Sequence, residues 1–193
     1  MPVKKNILLQ FEQSTIDHAL ARLRQSIGKY KTDILSLPDG ELLFNTMELS
    51  ANSTFDLSTQ EINSLLSYED VKTQILFLAH RIRFTHFSRN KIISTIPPYL
   101  LIEPTSVCNM RCPMCFQSDK SFTTKKYMGT MPIEIYKQLI DEATSLGIGA
   151  ITLASRGEPT LHPQLVEMLR YASGKFFEIK LNTNASRLND EII

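Results

Sequence analysis

The sequence predicts an α/β protein. Parallel β/α units span residues 97–193, behind a small, mostly helical α+β domain over residues 1–96. Beyond residue 98, short apolar runs alternate with segments whose apolar residues recur at helical spacing, the signature of parallel strands joined by right-handed crossover helices. Pro97-Pro98 separates two differently patterned halves, because paired prolines favour extended backbone over helix. The residues with the most distinctive chemistry each follow an apolar run, where parallel sheets place their ligand sites.

In the first half, Ser14 with Asp17 three residues on predicts a capped helix start. Ile16, Ala19, Leu20, Leu23 and Ile27 follow at helical spacing, and Gly28 supplies a stop. Arg22 and Arg24 lie off that stripe and read as a solvated face. The runs Ile34–Leu37 and Leu42–Phe44 flank Pro38-Asp39-Gly40-Glu41, turn chemistry that predicts a hairpin. Ser58 and Glu61 form a second capping box leading into Ile62, Leu65 and Leu66. A further helix starts near Glu69, with Val71, Ile75, Leu78, Ala79 and Ile82 on one face. The two helices invite a helix-turn-helix reading, with Arg81, Arg83, His86, Arg89 and Lys91 as a basic tail. A near-neutral chain without clustered aromatics favours an ordinary surface instead. His80 and His86 read as packing or surface residues rather than metal ligands.

In the second half, Tyr99–Pro104 is the first strand. The polar stretch from Gln117 to Gly129 reads as a long surface loop, and length of that kind is usually functional. Thr130 or Met131 caps a helix that carries Pro132 in its first turn and buries Ile135, Tyr136, Leu139, Ile140, Ala143 and Leu146. Gly149–Ala154 is the second strand, Pro163–Ala172 a helix, and Phe176–Leu181 the third strand. Residues 189–193 resemble the first turn of another helix.

With 193 residues, the chain can build one good core or two small ones. Its net charge of +1 gives no electrostatic reason to invoke nucleic acid or an acidic membrane. No apolar run approaches the roughly 20 residues of a membrane span, and the one near the start is too short for a signal peptide. Three cysteines are an odd number for a disulfide framework, so the expected compartment is the cytoplasm.

All three cysteines fall within Cys108-Asn109-Met110-Arg111-Cys112-Pro113-Met114-Cys115, spaced C-x3-C-x2-C. Three soft sulfur ligands on one loop suit an iron–sulfur cluster or zinc. Structural zinc takes four protein ligands, usually in C-x2-C pairs, and the sequence has no second pair. An iron–sulfur cube usually takes four thiolates, so three leave one iron open to a small molecule.

This cysteine motif after an apolar strand resembles the radical S-adenosylmethionine (radical SAM) superfamily. Two later segments follow in the family's order. Arg156-Gly157-Glu158-Pro159 is similar to its Gly-Gly-Glu segment, and Leu181-Asn182-Thr183-Asn184-Ala185 to its Thr-Asn-Gly segment. Arg156 and Ala185 stand where glycines are usual, and Met114 where an aromatic residue is common. The resemblance covers the second half of the chain and implies the first three β/α units of a partial TIM-like barrel. It implies a [4Fe–4S] cluster on Cys108, Cys112 and Cys115, with S-adenosylmethionine (SAM) on the open iron. Gly157 and Glu158 would meet the SAM ammonium, while Asn182 and Asn184 would meet SAM or substrate. The implied activity is reductive cleavage of SAM to a 5′-deoxyadenosyl radical that abstracts hydrogen from a small-molecule or peptide substrate. A low-potential donor of flavodoxin or ferredoxin type would supply the electron. The motifs name no catalytic acid or base. Arg156 suits either a ligand carboxylate or a structural ion pair, and His162 a helix N-terminus. A barrel of this type needs more strands than the three seen, so the sequence is expected to hold only its N-terminal part. The helix, hairpin and helical pair of residues 1–96 are similar to the peptide-recognition domains fused to some radical SAM enzymes, without a motif to carry the likeness. The alternative from another class is a non-catalytic metal or redox module.

Overall fold

A computed structural model of the chain describes residues 11–50, 55 and 57–190. It divides into two compact units, Met1–Pro98 with Leu146–Gly149, and Tyr99–Ser145 with Ala150–Ile193.

The described residues of the first unit are helical. Helix α1 (Gln13–Ser26) buries Ile16, Leu20 and Leu23. Its cap is Glu12, whose carbonyl accepts the N–H groups of Thr15 and Ile16, so Ser14 lies inside the first turn and the expected capping box does not form. Gly28 does not stop the chain's winding. It opens a 3-10 turn (Gly28–Tyr30) that runs into α2 (Lys31–Leu35).

The expected hairpin is replaced by a helical corner. Pro38 and Asp39 join α2 to α3 (Gly40–Leu49), with Asp39 in the left-handed region at φ 59°. Ile34, Leu43 and Met47 are fully buried and Phe44 nearly so, while Leu35 and Leu42 are exposed, which is a helical period and not the alternation of a strand. Gly40 lets the backbones close up, since a Cβ there would lie 2.6 Å from the carbonyl oxygens of Ile34 and Leu35. The α+β expectation for residues 1–96 is therefore corrected to all-helical among the described residues, and the likeness to hairpin-bearing peptide-recognition domains loses its hairpin.

The second capping box forms as read. Ser58 starts α4 (Thr59–Leu66), bonding reciprocally with Glu61. Asp70 caps α5 (Val71–Arg81) by accepting the Thr73 N–H at 2.7 Å, and a π-helical turn (Ile82–Phe87) continues it. The core gathers Leu23, Ile34, Leu43, Met47, Leu65, Ile75, Phe77 and Leu78. Two charges of the supposed basic surface are internal. Arg81 is buried against Glu61, and Arg83 against Asp39 and the Pro38 carbonyl. Arg24 is half-buried, its guanidinium 5.9 Å from the Phe55 ring centre.

The second unit holds a three-stranded parallel sheet in the order β1 (Tyr99–Ile102), β2 (Ala150–Leu153), β3 (Glu178–Leu181). The register aligns Ile102 with Leu153 and Leu153 with Leu181, so the three strands end level. Helix α6 (Ile133–Ser145) buries Ile133, Tyr136, Ile140 and Ala143, and α7 (Leu165–Ala172) buries Leu165, Met168 and Ala172. The Tyr136 hydroxyl donates to the Met168 carbonyl at 3.2 Å and locks the two helices together. The expected surface loop from Gln117 to Gly129 includes 3-10 turns (Phe116–Ser118, Lys120–Thr123), and Gln117 points inward. No helix among the described residues is long and apolar enough to cross a membrane.

Candidate functional site

Because the strands end level, the segments that leave them start side by side. Past β1, residues 103–107 run against the turn 155–158 that leaves β2. The Ala154 N–H donates to the Ile102 carbonyl at 3.0 Å and the Glu158 N–H to the Val107 carbonyl at 2.8 Å. Gly157 is where the two backbones touch. A Cβ there would sit 1.9 Å from the Thr105 carbonyl oxygen, so only glycine fits without rearrangement. Ser155 has φ 115°, a conformation L-residues rarely adopt. Glu103 braces this turn, accepting the Arg156 N–H at 3.0 Å and the Arg156 guanidinium at 2.6 and 2.9 Å. Burial pushes the Glu103 carboxyl up, but these donors outweigh it and hold the group below its ordinary value. Arg156 is thus the structural ion pair of the two alternatives.

Glu158 is the hub of the site and is only 3% exposed. Its carboxylate accepts from four donors: the Thr160 N–H (3.1 Å), the Thr160 hydroxyl (2.6 Å), the Thr183 hydroxyl (2.5 Å) and the Asn184 N–H (2.7 Å). Burial raises its pKa; the Asn184 amide and the two threonines more than cancel that, and the net shift is downward. The side chain that sequence reasoning set against a ligand's ammonium is engaged within the protein, tying the β2 turn to the segment that leaves β3.

The cysteine loop leans on the same segment. Asn184 donates through Nδ2 to the Asn109 Oδ1 at 2.9 Å, and Asn109 donates through Nδ2 to the Ser186 hydroxyl at 2.8 Å. Inside the loop, the Arg111 guanidinium holds the Cys108 carbonyl (2.9 Å) and the Met110 carbonyl (2.8 Å), while the Cys115 N–H closes a turn on the Cys112 carbonyl at 3.0 Å. The Met110 N–H points at the Cys108 sulfur at 3.5 Å. All three thiols are free, Cys112 exposed and Cys108 and Cys115 half-buried. Among the described residues no three or more Cys, His, Asp or Glu side chains converge as a metal site, so the sulfurs share a loop without being gathered. The donor set itself fits a thiolate-bound cluster: three free sulfurs in eight residues, on a loop anchored at Asn109.

Of the residues singled out from sequence, Gly157, Glu158 and Asn184 come together beside the cysteine loop. Asn182 is exposed, and its N–H donates to the Leu153 carbonyl at 3.1 Å. His162 is buried at the approach to α7, with Nδ1 accepting the Gln164 N–H (3.0 Å) and Nε2 facing the Met131 carbonyl (2.9 Å). Sequence reasoning missed Gln117, which is 3% exposed and whose Nε2 bridges the carbonyls of Ser106 (2.8 Å) and Arg156 (2.6 Å). It also missed Thr105 and Ser106, whose hydroxyls grip the Gly129 carbonyl, and the Asn109–Ser186 contact. Only position, two residues past Cys115, could have drawn attention to Gln117.

The family model described as "Radical SAM superfamily" matches residues 102–193. The chain is similar to a tungsten-containing aldehyde ferredoxin oxidoreductase cofactor-modifying protein of Pyrococcus furiosus, 32% identical over 96 residues, 49% of this chain and 26% of that protein. It is 29% identical to a mycofactocin maturase of Mycobacterium ulcerans over 96 residues, 50% of this chain and 25% of the relative. It is 30% identical to an Fe-coproporphyrin III synthase of Methanosarcina barkeri over 106 residues, 55% of this chain and 24% of the relative. The matched region thus spans about a quarter of the length of these curated relatives. No solved structure matches the chain significantly. Superfamily members use a [4Fe–4S] cluster and S-adenosylmethionine. By motif order and family model, residues 102–193 of this chain match the radical SAM superfamily.

Proposed function

We propose that this chain carries the cluster- and SAM-binding part of a radical SAM enzyme, with Cys108, Cys112 and Cys115 as the cluster ligands. The observation that carries the reading is the set of three free thiols on the loop after β1, hydrogen-bonded to the segment that follows β3. When bound, the cluster and SAM supply a one-electron reductive cleavage that yields a 5′-deoxyadenosyl radical for hydrogen abstraction.

The chain's own residues hold and orient. Arg111 fixes the backbone between the first two cysteines, and Asn109 docks the loop. The main chain of residues 156–158, kept close to residues 105–107 by Gly157, offers carbonyls to the SAM ammonium. Glu158 positions that main chain through its four internal hydrogen bonds, and Asn182 and Asn184 border the SAM or substrate space. Substrates of this reading are small molecules or peptides, the electron donor is of flavodoxin or ferredoxin type, and the setting is cytoplasmic. The three strands would be the first β/α units of a partial TIM-like barrel, in residues 97–193, with residues 1–96 a separate helical domain.

The test is anaerobic reconstitution with iron and sulfide, followed by SAM. The expected result is about four irons per chain, and a reduced-cluster electron paramagnetic resonance signal that changes when SAM is added. Replacing Cys112 by Ala should abolish a stable cluster, since two thiolates do not retain it. Full iron and sulfide in Cys112→Ala, or zinc as the sole metal of the anaerobically purified protein, overturns the reading.

A further inference from the structure

We infer that Asn109 and Ser186, joined through Asn184 to Glu158, form a latch that sets how closely the three cysteines can gather. Asn109 and Ser186 are thus positioning residues for the thiolate site. The inference rests on the proposed cluster site but concerns the protein's own hydrogen bonds, which exist without any cofactor.

The cysteine loop is held both from within and from outside. Its internal bonds, Arg111 to the Cys108 and Met110 carbonyls and Cys115 to Cys112, shape short turns and leave the loop's position free. Position comes from outside, through a side chain inside the C-x3-C spacing. Asn109 uses both ends of its amide, accepting from Asn184 at 2.9 Å and donating to Ser186 at 2.8 Å, across 75 and 77 residues of sequence. An amide is suited to this because it carries a donor and an acceptor in one rigid plane.

The far side of the latch is itself fixed. The Asn184 N–H is held by Glu158 at 2.7 Å, the Asn184 Oδ1 accepts the Ser186 N–H at 3.0 Å, and Ala185 between them takes the left-handed conformation at φ 62°. The tight turn 184–186 therefore presents a side-chain amide and a hydroxyl together, rooted on a carboxylate 3% exposed. The three sulfurs are ungathered as the loop stands; Val107 and Gln117 hold its two ends, so gathering them must move the stretch between, which the latch ties to residues 184–186. Losing the anchor adds to the ordering cost of assembling the three thiolates, and metal affinity falls.

Cobalt(II) is the probe, because thiolate–cobalt charge-transfer absorbance reports the sulfurs in the reduced, anaerobic full chain without iron, sulfide or SAM. Asn109→Leu, close in volume but unable to hydrogen-bond, should weaken cobalt affinity by about tenfold. Ser186→Val, which loses one bond, should weaken it by about threefold, and Ser186→Thr, which keeps the hydroxyl, should match the wild type. The double variant Asn109→Leu with Ser186→Val should bind no more weakly than Asn109→Leu alone, because both act through one contact. Wild-type affinity in Asn109→Leu, equal losses in Ser186→Val and Ser186→Thr, or additive losses in the double variant each overturn the latch. A chain that passes this test yet fails to build a SAM-responsive cluster would refute the radical SAM reading and leave the latch standing.

Discussion

At the scale of single residues, Glu158 is a buried carboxylate spent on the protein's own donors. Oε1 takes three of its four donors and Oε2 the fourth, all from within the protein. Glu158→Gln would turn an amide NH2 toward donors and should cost about 1.5–3 kcal/mol in chemical denaturation. The pH dependence follows from its lowered pKa. A carboxyl below its ordinary 4.5 when folded contributes stability that is complete above that value and is lost as pH falls through the folded value. The acid limb of the wild-type stability curve should therefore be steeper than that of Glu158→Gln, measured from pH 7 down to about pH 3. Some of the limb should survive in the variant, because Glu103 is shifted the same way by its half-buried ion pair with Arg156. Curves of equal slope would show that Glu158 is not ionised against its donors.

At the scale of elements, the helical corner at residues 34–44 can be checked directly. Gly40→Ala would push a methyl to 2.6 Å from two backbone carbonyls, and the resulting shift between α2 and α3 should cost about 2–4 kcal/mol. An unchanged denaturation midpoint would mean that the corner is not packed as described. The same corner marks where sequence reading stops. Pro38-Asp39-Gly40 announces a turn, but a turn between helices and a turn between strands share those residues. The apolar runs beside it were too short for period alone to decide. In the second unit the reading succeeded for a physical reason. Each short run was bounded by glycine, proline or a polar stretch, so existence and order were legible, although only β2 is largely buried and the runs shrank by a residue or more. The cysteine motif was legible because spacing along one loop is a local property. Gln117, Ser106 and the Asn109–Ser186 contact were not, because each gains meaning only from backbone that folding brings in from 11 to 77 residues away.

At the scale of the whole molecule, the chain carries two cores of different construction, one of helices alone and one of a sheet with α6 and α7. Phe77, fully buried among helices, belongs to the first. Phe77→Ala should remove about 3–5 kcal/mol of that unit's stability, read as an earlier denaturation midpoint. Cobalt binding under native conditions should persist, since every residue of the thiolate site lies in the other unit. Loss of both together would show one cooperative fold. Gly157 carries a further consequence, for the way such a chain can change over time. It has no side chain to contribute to chemistry, yet the Thr105 carbonyl oxygen occupies the space any other residue would need. Drift at this position is therefore closed by geometry even if the substrate changes. Replacement is open instead at positions such as Asn182, whose exposed side chain leaves room for it, while residue 157 is held to glycine by backbone contact alone.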